Sequence, residues 1–343
     1  MNMKNVVQCI VQNEDVSKHY KNKEGLNSTY KIIYESMLDK QNQLEIFEQL
    51  LGDSDYIYFS KSFFEEQRVL LMDIINYAKN KGKKILYPEE IESNSDFEEL
   101  IPLELRGDWS FSRKCNVENY HLCKINTPIL FVCGLCEGVG KYKLQMKIRD
   151  KFLDNGVNTV LIGSRRESEL LGEYCIPDYM FQVGVTEKDK IVAFNHYVKR
   201  IELEESPDII LIGIPGSIGN FTRSVLENMG VTLWEISQAV YPDYMICSIP
   251  LGIANTELLK QRIERSTGIT CNYLHLENKM IDLMTVKRDE KIRLLDVNNN
   301  DVDNLLKSSP KEWECNLNNE IELNKLVDEI LVHFKSESEI EMV

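Results

Sequence analysis

Residues 128–141 read PILFVCGLCEGVGK and decide the fold. The first six are apolar without interruption, which indicates a buried strand, and residues 142–155 that follow the stretch have the spacing of a helix. Gly134, Gly138 and Gly140 lie between these two elements, and glycine allows backbone conformations that a side chain would block. A strand, a glycine-rich turn and a helix in this order are typical of a phosphate-binding loop.

The loop carries one cation in a position suited to phosphate. A helix that begins after Lys141 directs its free N–H groups and its dipole at the loop, and the Lys141 ammonium would contact the β- and γ-phosphates of a nucleotide. We therefore predict that the loop binds ATP or GTP. The predicted nucleotide-binding residues are Gly134, Glu137, Gly138, Val139, Gly140, Lys141 and Tyr142. The alternative is a glycine turn that only joins a strand to a helix.

The rest of the C-terminal part alternates between strands and helices. Apolar runs of strand length occur at 157–162, 208–213, 244–249 and 269–276, and helical patterns occur at 187–204, 256–266 and 319–334. Strands that are apolar along their whole length indicate a parallel sheet covered on both faces. We predict an α/β fold for residues 127–343, namely a P-loop NTPase-like parallel sheet flanked by helices.

Residues 1–126 are predicted to form a smaller α/β domain and a linker. A strand at 55–59, a helix at 63–81 and a strand at 83–87 make one β-α-β unit. A further helix is predicted across residues 30–51, and the partly acidic stretch 88–127 is predicted to connect the domains.

The loop resembles that of dethiobiotin synthetase and its relatives, which also have five residues between the two glycines. The matching positions are Gly134, Val139, Gly140 and Lys141. The resemblance covers residues 127–250, including PDIILIGIPGS at 207–217, which looks like the strand that ends in an acidic residue in those relatives. It implies a P-loop domain, a bound nucleotide and a homodimer.

Two expected magnesium contacts are missing. The hydroxyl residue that normally follows the lysine is Tyr142, and the acidic residue at the end of the third strand is replaced by Gly213. Because phosphoryl transfer depends on metal and positioning, we predict nucleotide binding with little turnover and a degenerate Mg²⁺ site. Glu137 and Asp208 are the carboxylates that could contact a metal instead.

Other polar residues follow the predicted strands, at the edge where open α/β sheets bind ligands. Arg165 and Arg166 follow the second strand and are candidates for phosphate or carboxylate contacts, or else for a solvated helix start. Gly216 and Ser217 follow the third strand, and together with Asp208 they are candidate substrate or phosphate contacts. Asn220 is predicted to cap a helix over residues 221–228.

Composition excludes several classes of partner. The formal net charge is −15, which disfavours nucleic acid and anionic membranes, and no apolar run approaches the length of a spanning helix. We expect no signal peptide. Nine scattered cysteines, an odd number, fit a reducing cytoplasm, and five unclustered histidines give no sign of a metal site.

The wider pattern resembles a family of clostridial-type peptide maturation system proteins. The residues that carry this resemblance are 133–141, 212–220 and 241–253. It implies a setting in the maturation of ribosomally synthesised, post-translationally modified peptides, bacteriocin-like products among them. Its partners would be a precursor peptide or a peptide-modifying enzyme. Three functions follow as hypotheses: a nucleotide-sensing accessory protein, an ATP- or GTP-dependent ligase or NTPase, and a small-molecule enzyme like dethiobiotin synthetase.

Overall fold

The computed structural model describes residues 9–10, 32–33, 56–59, 75–87, 101–102, 117, 119–220, 222, 225–252, 256–298, 301–302 and 316–340. The chain divides into two compact units, residues 1–109 with 169–172, and residues 110–168 with 173–343. The predicted domain boundary between residues 126 and 127 lies further along the chain than this division, and it stays a prediction.

The first unit contains a five-stranded parallel sheet of order β2-β1-β3-β4-β5. Its strands are β1 (Cys9–Ile10), β2 (Ile32–Ile33), β3 (Tyr56–Phe59), β4 (Lys84–Tyr87) and β5 (Ile101–Pro102). Strands β3 and β4 confirm the two predicted strands, and residues 75–80, described between them, are helical as predicted.

Two expectations for this unit are wrong where the structure describes them. Ile32–Ile33 pairs with β1 as a strand, although residues 30–51 were predicted to be helical. Ile101–Pro102 pairs with β4, although it lies in the predicted linker. In both places pairing with a neighbouring strand overrides the local pattern, since the preference of a short apolar segment depends on its context. The rest of the predicted helix lies outside the described residues.

The second unit contains a seven-stranded sheet of order β12-β11-β10-β6-β9-β7-β8. All neighbours are parallel except β12, which runs antiparallel to β11. The strands are β6 (Ile129–Gly134), β7 (Thr159–Gly163), β8 (Tyr174–Cys175), β9 (Ile209–Gly213), β10 (Tyr244–Leu251), β11 (Tyr273–Ile281) and β12 (Leu294–Asp296). The predicted parallel sheet is confirmed, and β8 and β12 are additions at its two edges.

In the described part of this unit, six longer helices accompany the sheet: α1 (Lys141–Asp154), α2 (Glu187–Glu205), α3 (Val231–Ala239), α4 (Thr256–Thr267), α5 (Leu283–Asp289) and α6 (Glu320–Ile340). Four of them, α1, α2, α4 and α6, confirm predicted helices. The helix predicted over 221–228 is wrong in its described part, because residues 225–228 are not helical and α3 begins at Val231. Asn220 instead donates its side-chain N–H to the Thr222 carbonyl.

The core explains why the strands are apolar throughout. Ile129, Phe131 and Cys133 of β6 belong to one buried cluster with side chains of α2, α3 and α4. Leu130 and Val132 alternate with them and are fully buried on the other face. The fold is therefore an α/β sheet covered on both faces. Among the residues that the structure describes, no helix combines the length and the apolar composition needed to cross a membrane.

Candidate functional site

The glycine-rich loop lies where the strand order changes direction. Strand β6 is flanked by β9 and β10, whereas the next strand along the chain, β7, lies beyond β9. Ligands of open parallel sheets bind at such a point, outside the carboxyl ends of the strands. The loop between β6 and α1 is therefore at the position where this fold binds small molecules.

Hydrogen bonds from the neighbouring strand connections hold the loop in one shape. The Leu135 N–H donates to the Ser248 carbonyl at 2.9 Å, and the Ser248 hydroxyl donates to the Val139 carbonyl at 2.5 Å. The Ile218 N–H donates to the Gly134 carbonyl at 3.0 Å. The loop conformation is thus set by β10 and by the segment after β9 as well as by its own glycines.

The end of β11 supports the loop from the other side. A Cβ on Gly140 would lie 2.8 Å from Cδ of Glu277, and Gly140 has a φ of +67°. Lys279 Nζ donates to the Gly138 carbonyl at 2.9 Å. Position 140 must therefore be glycine, because its backbone is left-handed and because the Glu277 side chain leaves no space for a Cβ.

Glu277 is an ionised carboxylate buried beneath the loop. His275 Nδ1 accepts the Leu317 N–H at 3.1 Å, so the ring carries its proton on Nε2, which lies 3.2 Å from the nearer Glu277 carboxylate oxygen. Asn318 donates to the other oxygen at 3.1 Å. Burial raises the pKa of Glu277, but the His275 hydrogen bond and nearby positive charge outweigh burial and lower this pKa to about 2. Sequence analysis missed Glu277, although it directly follows a predicted strand.

Lys141 is directed at the loop, as the prediction requires. The residue is only 5% exposed, and its ammonium donates to the Gly216 carbonyl. The ammonium also forms an ion pair with Oε2 of Glu137 at 3.4 Å. The predicted phosphate-binding cation is thus held between the loop and the turn after β9, and a carboxylate of the loop itself already contacts it.

The environment of Glu137 is strongly cationic. Burial raises the pKa of its carboxyl group, but the charges of Lys141 and Arg165 and a hydrogen bond from the Gly216 backbone outweigh burial and lower it. The Glu137 side chain is 59% exposed, so it lies at the mouth of the loop rather than beneath it. The mouth of the loop is therefore an environment that stabilises negative charge.

The two predicted arginines have different surroundings. The Arg165 guanidinium lies 5.2 Å from the centroid of the Tyr142 ring, next to the first turn of α1. Arg166 is buried and forms an ion pair with Asp178. The structure thus places Arg165 beside the loop, whereas the Arg166 guanidinium contacts Asp178.

The position of the expected acidic residue is filled from α1. A Cβ on Gly213 would overlap the side-chain amide of Gln145. Gln145 Nε2 donates to the Ser164 hydroxyl at 3.0 Å, and Gln145 Oε1 accepts the Ser164 N–H at 3.1 Å. An acidic side chain at Gly213 has no room in this arrangement.

The remaining predicted site residues form hydrogen bonds or packing contacts within the protein. Gly216 has a φ of +79° and packs against Asn228, whose Oδ1 accepts the Ser217 N–H and hydroxyl. Asp208 precedes β9 and accepts the Asn158 N–H at 2.9 Å. It therefore lies at the opposite edge of the sheet, and the structure does not bring it to the loop.

A second carboxyl group reaches the loop from the segment before α3. Oε1 of Glu227 accepts the Glu137 N–H at 3.4 Å. Burial, together with the charge of Glu137, raises the pKa of Glu227. Burial and the charge of Glu227 raise the pKa of the Cys136 thiol to about 12, which keeps that cysteine protonated. No motif in the sequence marks Glu227, which lies within the helix predicted over residues 221–228.

A cavity of about 310 Å³ opens beside the loop. Leu135 of the loop lines it together with Ile218, Ile263 and the more exposed Trp234 and Arg262. The cavity is thus continuous with the residues that flank the loop. Within the described ranges, no group of three or more His, Cys, Asp or Glu side chains is arranged to hold a metal ion.

Comparison with known proteins assigns the chain to no family. No protein-family model and no curated protein matches the chain. The chain is similar to a DUF1611 family protein from Anabaena variabilis, with 10% identity and a TM-score of 0.49 over 80% of this chain and 88% of that one. It is also similar to the signal recognition particle receptor FtsY from Elizabethkingia anophelis, with 16% identity and a TM-score of 0.30. That match covers 49% of this chain and 54% of FtsY.

Similarities at these values carry no argument about fold or function. The class is defined by the chain's own geometry: a largely parallel sheet, and a glycine-rich loop with a buried lysine between its central strand and a helix. The second unit is a P-loop-type α/β domain.

Proposed function

We propose that the protein binds a nucleoside phosphate, ATP or GTP, on the loop 134–141 without efficient turnover. The observation that supports this most is the position of Lys141, which is buried with its ammonium directed at the loop. Lys141 is the first residue of α1, and an ammonium at a helix start, where backbone N–H groups are free, is an arrangement suited to phosphate. Little turnover is expected because Tyr142 and Gly213 replace the usual magnesium contacts.

The proposed setting is the maturation of a ribosomally synthesised, post-translationally modified peptide. It rests on the resemblance of residues 133–141, 212–220 and 241–253 to peptide maturation system proteins. In this proposal the protein is an accessory factor that responds to nucleotide and contacts a precursor peptide or a peptide-modifying enzyme. The cavity lined by Leu135 and Trp234 gives such a partner a place beside the loop.

A titration with ATP, GTP and ADP tests nucleotide binding. We expect ligand to raise the melting temperature of the wild type by several degrees, because a ligand that binds only the folded state stabilises it. Lys141→Ala should abolish the shift, and Lys287→Ala, which removes an exposed lysine outside the loop, should keep it. No shift in the wild type with any nucleotide would refute the proposal. Circular dichroism shows whether Lys141→Ala is folded.

Glu227 favours the alternative of an ATP- or GTP-dependent ligase or NTPase. Its raised pKa and its place beside the loop are features of a general base or of a group that contacts the transferred phosphate. Its backbone φ of +45° is uncommon for a residue with a side chain, and such strain concentrates at functional sites.

The enzyme alternative has its own test. If it holds, purified protein releases phosphate from ATP or GTP, and Glu227→Gln lowers the rate at least tenfold while binding is retained. Absence of release, with and without candidate peptide, would leave the accessory role.

A further inference from the structure

We propose that Arg165, rather than a divalent metal ion, supplies the second positive charge for the phosphate on this loop, so that the ligand binds in its metal-free form. This inference rests on the proposed function, because it concerns the ligand of the same loop. Without ligand, the Glu137 carboxylate occupies the position beside Lys141 that a phosphate would take, and the phosphate displaces it on binding.

The residues present do not fit a magnesium ion of the usual P-loop kind. The hydroxyl expected after Lys141 is replaced by the buried ring of Tyr142. The place of the expected acidic residue, beside Gly213, is filled by the amide of Gln145. Both protein positions that ordinarily hold the ion are therefore taken by groups that cannot ligate it in the usual way.

The same two replacements hold Arg165 beside the loop. The Tyr142 ring lies under the Arg165 guanidinium at 5.2 Å, within the range of a cation–π interaction. The two hydrogen bonds between Gln145 and Ser164 fix the residue that precedes Arg165. The Tyr142 ring and the Gln145 amide, which take the place of the usual metal ligands, thus also position the Arg165 guanidinium at the start of α1.

Glu137 shows that this position accepts a negative charge. Its carboxylate forms an ion pair with Lys141, and both Lys141 and Arg165 lower its pKa. Its side chain is largely exposed and belongs to the loop itself, so it moves aside without disturbing the core. A pyrophosphate or triphosphate group carries more negative charge than one carboxylate, and a guanidinium binds phosphate oxygens in pairs.

The structure therefore points to a ligand with a polyphosphate group and no bound cation. The charge that Mg²⁺ brings in other P-loop proteins would come from the protein. This arrangement binds phosphate tightly, but it has no metal ion to stabilise the negative charge that develops on the leaving group during phosphoryl transfer.

Calorimetric titration with ATP and with inorganic pyrophosphate, each in EDTA and in excess Mg²⁺, tests the inference. In EDTA we expect an affinity at least equal to that in Mg²⁺. Arg165→Gln should weaken binding of both ligands about tenfold or more, the cost of one charged hydrogen-bonding partner. Arg265→Gln, at an exposed arginine of α4, should leave binding unchanged. Glu137→Gln should strengthen binding, because the competing charge is removed.

The outcomes separate the two proposals. Binding that requires Mg²⁺ and is unaffected by Arg165→Gln would overturn this inference and leave the proposed nucleotide binding intact. Binding of pyrophosphate in EDTA, without binding of ATP or GTP, would support a phosphate site at Lys141 and Arg165 and would refute the proposed nucleotide binding. A weaker affinity in Glu137→Gln would also count against the inference. The melting temperature of unliganded Arg165→Gln, compared with wild type, shows whether the variant is folded, and Arg165→Lys tests whether charge alone suffices.

Discussion

The side-chain amide of Gln145 occupies the space that any side chain at Gly213 would need, with its atoms within 2.4 Å of where a Cβ would lie. Gln145 belongs to the helix that follows the loop, and Gly213 ends the neighbouring strand. An acidic side chain at Gly213 therefore has no space in this structure, and α1 packs directly on the end of β9.

Gly213→Ala should destabilise the protein by about 1–3 kcal/mol, because the added methyl group overlaps a buried side chain. The double variant with Gln145→Ala should recover part of this loss, with a coupling of roughly 0.5–3 kcal/mol. Urea unfolding of the four proteins of this cycle measures it. Gly219→Ala, where a Cβ meets nothing within 4 Å, is the matched control. Additive effects of the two changes would show that the amide does not restrict Gly213.

Tyr142→Thr restores a hydroxyl residue after the lysine but should not restore magnesium dependence. The change removes a buried ring, at a cost of about 3 kcal/mol or more, and Arg165 loses the surface beneath it. Pyrophosphate binding should therefore weaken, in EDTA and in Mg²⁺ alike. Tyr142→Phe keeps the ring and should bind as the wild type does. Tighter binding of Tyr142→Thr in Mg²⁺ than in EDTA would show that the hydroxyl alone decides metal use.

Glu277 should make stability depend on acid pH. Folding lowers the pKa of this carboxyl from 4.5 to about 2. Its contribution is therefore complete above about pH 4.5 and is lost as the pH falls towards 2, amounting to about 3 kcal/mol. Urea unfolding at several pH values should show a shallower decline for Glu277→Gln than for wild type. Glu264→Gln, at an exposed position on α4, should follow the wild type. If the free energy of unfolding depends on pH in the same way in wild type and in Glu277→Gln, Glu277 is not a buried, ionised carboxylate.

Cys136 should resist thiol reagents despite its place in the loop. Its pKa is raised to about 12, and its side chain is fully buried, so little thiolate forms near pH 8. Cys123 is an exposed thiol and should react much faster. Mass spectrometry of protein treated briefly with iodoacetamide locates the modified residues, and Cys123→Ser is the control that removes labelling at this position. Early labelling of Cys136 in the folded protein would show that the loop opens readily.

Features formed by consecutive residues could be predicted from the sequence, and contacts between distant segments could not. The strand before the loop, the glycines and α1 occupy adjacent residues, so their pattern predicts them together. Arg165 and Arg166 are neighbours of the same type, and no local signal separates the one beside Tyr142 from the one paired with Asp178. The helix expected over 221–228 is wrong because the Asn228 side chain bonds the turn at Ser217 instead.

By itself, the sequence determined the class of fold and the position of the glycine-rich loop, because strand hydrophobicity, glycine turns and helix spacing act over a few consecutive residues. The tertiary structure decided which charges surround that loop. Glu227, Glu277 and Arg165 reach it from separate segments, and Gln145 meets Gly213 across two elements. Such contacts depend on how the strands are ordered in the sheet, which no local pattern records.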